Sequence, residues 1–231
     1  MRSMPRRMVS FCLSLWIATL TIAQCSMLHG QQPRLELHKG DHIAIIGNTL
    51  ADRLQHYGHL EAMLHYRFPE HSLVVRDLGF SGDTLTERTR SDNFGTPDEW
   101  LTKVEADVIF TFFGYNESYA GETGLPQFRK DLEEFIDHTL GQKYNGESAP
   151  RLVLCSPIAF EDLKWPHLPD GKTQNKNLAM YSTAMAEVAQ VKNVYFVGLF
   201  SATMKAQEQT TFDDSRIRNL QPEQRYRFEK E

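Results

Sequence analysis

The chain has 231 residues, of which 41% are hydrophobic and 24% charged, with a formal net charge of −5. This is the composition of an ordinary globular protein, long enough for one full α/β core with little left for a second. With a pI near 6.0 and Lys and Arg scattered, no basic patch is available to neutralise phosphates, so nucleic acid is not an expected partner.

The first thirty residues read as a secretory leader. Arg2, Arg6 and Arg7 precede an uncharged run from Met8 to Ala23, and small residues follow near its end. That run is shorter than the roughly 20 residues a bilayer span requires, so export with cleavage after Ala23 or Gly30 is expected, leaving no stable membrane span. Cys12 and Cys25 fall in or beside this leader. Cys155 sits in the apolar run Leu152-Val153-Leu154-Cys155, which predicts a buried, inert thiol. The cysteines offer neither a disulfide framework nor a metal cluster.

From residue 40 onward, short apolar runs alternate with helical patterns. The runs His42–Gly47, Ser72–Leu78, Ala106–Phe113, Arg151–Ser156 and Asn193–Val197 are nearly continuous in Val, Ile, Leu and Phe. Strands covered on both faces of a parallel sheet read this way. Helical spacing occupies Ala51–Phe68, Gln127–Thr139 and Leu178–Gln190, with a shorter helix near Pro97–Val104. The pattern predicts a three-layer α/β/α sandwich around a central parallel sheet of about five strands, flavodoxin-like, with the ligand site at the strands' carboxyl ends.

Five segments meet at that edge, beginning at Gly47, Gly79, Gly114, Ser156 and Gly198, and the first three are Gly47-Asn48-Thr49-Leu50, Gly79-Phe80-Ser81-Gly82-Asp83-Thr84 and Gly114-Tyr115-Asn116-Glu117-Ser118. No phosphate-binding loop is among them, neither G-x-x-x-x-G-K-S/T nor G-x-G-x-x-G, and no cofactor is expected. Read alone, Asn48 or Thr49 caps the helix that follows, Gly82 permits a tight turn, and Asn116 caps the turn after the third strand.

Taken together, the blocks "GNTL", "SGDT" and "GYN" resemble the SGNH (GDSL-like) hydrolases, a family of esterases, lipases and carbohydrate deacetylases. The wording "GNTLADR", "GFSGDT", "FFGYNES" and "LPDG…NLAMYSTAM" is similar to exported bacterial members often found in planctomycetes. The resemblance covers residue 40 to about 204. It implies an ester hydrolase acting by acyl transfer on a carboxylic ester or an acetylated carbohydrate. Thr49 takes the nucleophile's position. The Thr49 and Gly82 backbone N–H groups and the Asn116 amide take the oxyanion-hole positions.

Two departures stand out. Thr49 replaces the family's serine, and its branched Cβ restricts χ1 in a crowded turn. The family's last block, Asp-x-x-His, occurs nowhere in the 231 residues, and residues 206–231 form a divergent polar tail without histidine. The abrupt change near residue 206 leads to the expectation of a frameshift or premature stop. Losing the base of a triad-type site costs up to about 10⁶ in turnover, though about 10³–10⁴ over water can remain. Of the nine histidines, His167, in the loop after the fourth strand beside Trp165 and Pro166, is the one on the active side by topology and is the candidate substitute base. The competing expectation is a catalytically dead SGNH-fold binding module for a glycan or protein partner.

Overall fold

The computed structural model describes residues 34–89, 93–162 and 171–209. The leader, His167 and the tail from residue 210 lie outside the described residues.

Five strands form one sheet: β1 (His42–Gly47), β2 (Val74–Asp77), β3 (Val108–Phe112), β4 (Arg151–Cys155) and β5 (Tyr195–Val197). All four pairings are parallel, in the order β2-β1-β3-β4-β5. The helices are α1 (Thr49–Tyr57), α2 (His59–Arg67), α3 (Pro97–Lys103), α4 (Gly121–Leu140), α5 (Gly171–Lys192) and α6 (Leu199–Gln209). This is the expected α/β fold, and the strand order puts the topological switch point between β1 and β3.

Side-chain alternation along β1 explains why the sheet is covered twice. Ala44 and Ile46 point into one core with Ile109, Leu152 and Leu154, closed by Phe128, Leu132 and Ile136 of α4 and by Tyr181, Met185 and Val188 of α5. Ile43 and Ile45 point the other way, with Val108, Val153 and Cys155, against Ala51 of α1 and Leu60 and Leu64 of α2. Each fully buried Val, Leu, Ile, Phe or Met side chain here contributes about 1.5–3 kcal/mol. Cys155 is buried as expected, and desolvation pushes its thiol up to about 12.

Three helix boundaries differ from expectation. The predicted Ala51–Phe68 helix is two helices, because Gly58 adopts a left-handed conformation (φ 61°) and its N–H closes the first helix on the Leu54 carbonyl. Helix α4 begins at Gly121, ahead of Pro126, which sits inside it. Helix α5 begins at Gly171 rather than Leu178, because its first inward positions are Gly171 and Gln174 and carry no apolar period. Side-chain hydrogen bonds hold that turn instead: Gln174 Nε2 donates to Ser118 Oγ (3.1 Å), and Asn175 bonds both backbone groups of Phe160 (2.8 Å each).

Candidate active site

The turn after β1 is built on Gly47. Its φ is +136°, and a Cβ there would overlap the Phe112 carbonyl oxygen of β3. Asn48 N donates to that same carbonyl (3.0 Å), and Asn48 Oδ1 accepts from Leu50 N (3.1 Å). Asn48 is therefore the buried N-cap of α1. Capping falls to Asn48 and not to Thr49, whose side chain is exposed at the first position of the helix.

The second segment is pressed against that helix start. A Cβ on Gly79 would lie 2.5 Å from Ala51 Cβ and 2.7 Å from Asp52 N, so no side chain fits. Phe80 N donates to Gly47 O (2.9 Å), and Ser81 Oγ donates to Asp52 Oδ2 (2.5 Å). This hydroxyl holds the Asp52 carboxyl below its ordinary value. Gly82 follows with φ +96° and open space where a Cβ would stand. Its glycine character serves the turn's conformation and not a close approach.

The third segment leaves β3 through Gly114, φ +93°, packed on Met185 and Pro157. Asn116 starts the short 3-10 turn Glu117–Ala120, yet its side chain does not cap it. The amide Nδ2 donates instead to the Asp83 carbonyl, 3.0 Å away on the second segment. Glu117 binds the two segments again: Oε2 accepts from Gly114 N (2.8 Å) and Oε1 from Leu85 N (2.9 Å). Burial pushes the Glu117 carboxyl up, opposed by these N–H groups and by the Arg88 guanidinium. Arg88 lies 4.2 Å over the Phe113 ring, and its Nη1 is buried without a hydrogen-bond partner.

A cavity of about 510 Å³ opens at the switch point. Thr49 and Asn116 both line it, with Arg53, Tyr115, Phe160 and Glu161 among their neighbours. Its walls are mainly apolar, with Leu50, Phe112, Phe113, Pro157, Ile158 and Ala159, and the polar Asn48, Ser156 and Gln207 complete them. Gly82 is not among the lining residues and stands one residue before the carbonyl that Asn116 holds. The structure thus brings Thr49 and Asn116 to one cavity, places Gly82 beside it, and describes nothing of His167.

None of the described histidines lines this cavity. His42 Nδ1 pairs with Val104 O (2.8 Å) at the opposite end of the sheet. His56, His59 and His65 ride on α1 and α2, and His71 sits in a 3-10 turn before β2. His138 Nε2 meets Asp98 Oδ2 (2.8 Å) at the end of α4, and Asp98 Oδ1 accepts from the Tyr144 hydroxyl (2.6 Å). No group of three or more His, Cys, Asp or Glu among the described residues is placed to hold a metal ion, and no helix among them is long and apolar enough to cross a membrane.

The profile of the GDSL-like lipase/acylhydrolase family matches residues 40–219. The chain belongs to that family. Comparison with curated protein sequences found no match. Among solved structures, the chain is similar to a gut microbial diltiazem-metabolizing enzyme at 18% identity and a TM-score of 0.61, over 80% of this chain and 42% of that one. It therefore spans less than half of that protein. It is also similar to a catalytic mutant of an acetylxylan esterase from Geobacillus stearothermophilus (13% identity, TM-score 0.57, 78% and 85% coverage). A further acetyl xylan esterase structure matches at 17% identity, TM-score 0.53, with 73% and 82% coverage. At such identities these likenesses speak for the shared fold.

Several groups at the site escaped sequence reasoning. Arg53 follows Thr49 by one helical turn, so both lie on one face of α1, and that spacing was readable. Glu161 comes from an irregular loop after β4 with no periodicity to mark it. Glu117 is hidden in "NES", where its carboxylate reads as a solvated charge.

Proposed function

We propose that this GDSL-family protein hydrolyses carboxylic esters by acyl transfer, with Thr49 as the nucleophile. The observation that carries this reading is the shared cavity: the Thr49 side chain and the Asn116 amide, from neighbouring strands β1 and β3, line one cleft at the switch point. One amide hydrogen of Asn116 is committed to the Asp83 carbonyl. The other is available to a developing oxyanion, which is the requirement for acyl transfer. The backbone N–H groups of Thr49 and Gly82 complete the donor set in this reading. The substrate is a small-molecule or carbohydrate ester, met outside the cytoplasm after removal of the leader. The hydrolase-like domain spans residues 40–205, followed by a divergent tail over 206–231.

The test is hydrolysis of a small chromogenic acetate ester by the purified protein and by Thr49→Ala. Turnover that disappears in the variant supports the reading. Turnover unchanged in Thr49→Ala refutes Thr49 as nucleophile.

A second reading, a catalytically silent binding module for a glycan or protein partner, is favoured by one observation. No described histidine stands at the cavity. His167, the histidine that the sequence offers as a substitute base in the loop after β4, lies outside the described residues. A wild-type protein without turnover that retains ligand binding favours the module.

A further inference from the structure

A hydroxyl nucleophile needs a proton acceptor in the same cavity. Among the residues lining the cleft that holds Thr49, the titratable side chains are Arg53, Tyr115 and Glu161. Arginine offers no acceptor. Burial pushes the Tyr115 hydroxyl up to about 12, which keeps it a donor at neutral pH. The other carboxylates near the site are engaged in holding it together: Asp52 by Ser81, and Glu117 by Gly114 and Leu85. Asp83 Oδ1 accepts from Thr89 N (3.2 Å). Glu161 is exposed, lies in the loop after β4, and forms no ion pair with a described residue.

We infer that Glu161 is the general base of this site, the role that a histidine fills in the family's pattern. This rests on the ester-hydrolase reading above. As the Thr49 Oγ–C bond forms, the hydroxyl proton passes to the Glu161 carboxylate, and the oxyanion is held by Asn116. Collapse of the tetrahedral intermediate breaks the ester C–O bond, and the Glu161 carboxyl returns the proton to the departing alkoxide. Water then gives a proton to Glu161 as its oxygen adds to the acyl carbon. The second collapse expels Thr49 Oγ, which recovers that proton, releasing the carboxylic acid and restoring the carboxylate. A carboxylate is a weaker base toward a hydroxyl than imidazole, so turnover is slow but complete.

The experiment uses the full chain, an aryl butyrate ester for turnover, and an alkyl fluorophosphonate that labels an activated hydroxyl, read as added mass on the peptide containing Thr49. Glu161→Gln is expected to lower turnover and labelling by about a hundredfold or more, and Glu161→Asp to keep part of both. The wild-type pH–rate profile is expected to keep its shape in His167→Gln, with no inflection near about 6.5, where imidazole titrates. Glu161 is exposed, so these variants leave the fold intact. Wild-type rates in Glu161→Gln, or an inflection near 6.5 that His167→Gln removes, overturn Glu161 as base while Thr49-based hydrolysis stands. A wild-type protein that neither turns over the ester nor takes up the label overturns the hydrolase reading and the base together.

Discussion

The amide nitrogen of Asn116 lies 3.0 Å from the backbone carbonyl oxygen of Asp83. A residue just past the end of β3 thereby fixes the loop that follows β2, across β1, the strand that leads into Thr49. This bond aims the side chain and leaves one N–H directed away from it. Asn116→Asp keeps the shape and removes the donor, and the new carboxylate faces a carbonyl. Turnover of a chromogenic ester is expected to fall by about 10²–10³, mostly in kcat. Melting temperature measured alongside is expected to move by only the few degrees that correspond to one lost hydrogen bond, about 1 kcal/mol.

Glu117 carries the same tie deeper. Its two oxygens satisfy the N–H groups of Gly114 and Leu85, a pair of acceptors that glutamine cannot reproduce because its amide nitrogen would face a donor. Burial raises the Glu117 carboxyl in the folded state. A raised folded value means that its contribution is full below the unfolded value, about 4.3, and is lost as pH rises through the folded one. The stability difference between wild type and Glu117→Gln is therefore expected to shrink from pH 4 to pH 7 in urea titrations. A difference that grows with pH contradicts the burial argument.

The glycines of the first two segments separate two kinds of requirement. At Gly47 both the conformation and the space are forbidden to a side chain, since a Cβ would overlap the Phe112 carbonyl. At Gly82 only the conformation is special, with open space around it. Gly47→Ala is expected to cost 4 kcal/mol or more, roughly the exceptional end of single substitutions, and to abolish soluble protein. Gly82→Ala is expected to fold at a cost of about 1–3 kcal/mol. Circular dichroism melts of the two variants check the ordering.

The sheet was legible because every β1 residue from Ile43 to Ile46 is apolar and buried on one face or the other, which leaves a continuous run in the sequence. The positions of Thr49 and Asn116 were legible for a related reason: the end of a buried run marks the active edge. Where polar residues occupy inward positions, the signal vanished. Gln174 packs into the first turn of α5 through a hydrogen bond to Ser118, and no apolar period announces it. Glu161 was illegible because an irregular loop brings it to the cleft, and spacing along the chain does not encode that approach. Asn48, by contrast, was readable as a cap from its place before α1, and it took the role alone.

The shape of the cleft bears on substrate choice. Some 510 Å³ of space is bounded by Leu50, Phe112, Phe113, Pro157, Ile158, Ala159 and Phe160, far more apolar surface than an acetyl group covers. Burying one methylene is worth about 0.8 kcal/mol, which caps the gain at roughly fourfold in kcat/KM per added carbon. Across an aryl ester series from acetate to decanoate, kcat/KM is expected to climb toward medium chain lengths and then level off as the tail leaves the cleft. Phe160→Ala is expected to flatten that climb while leaving the acetate ester's rate within a few-fold. A profile that peaks at acetate in both proteins assigns the apolar wall to the alcohol half of the ester, and a matching alkyl acetate series then shows the chain-length dependence instead.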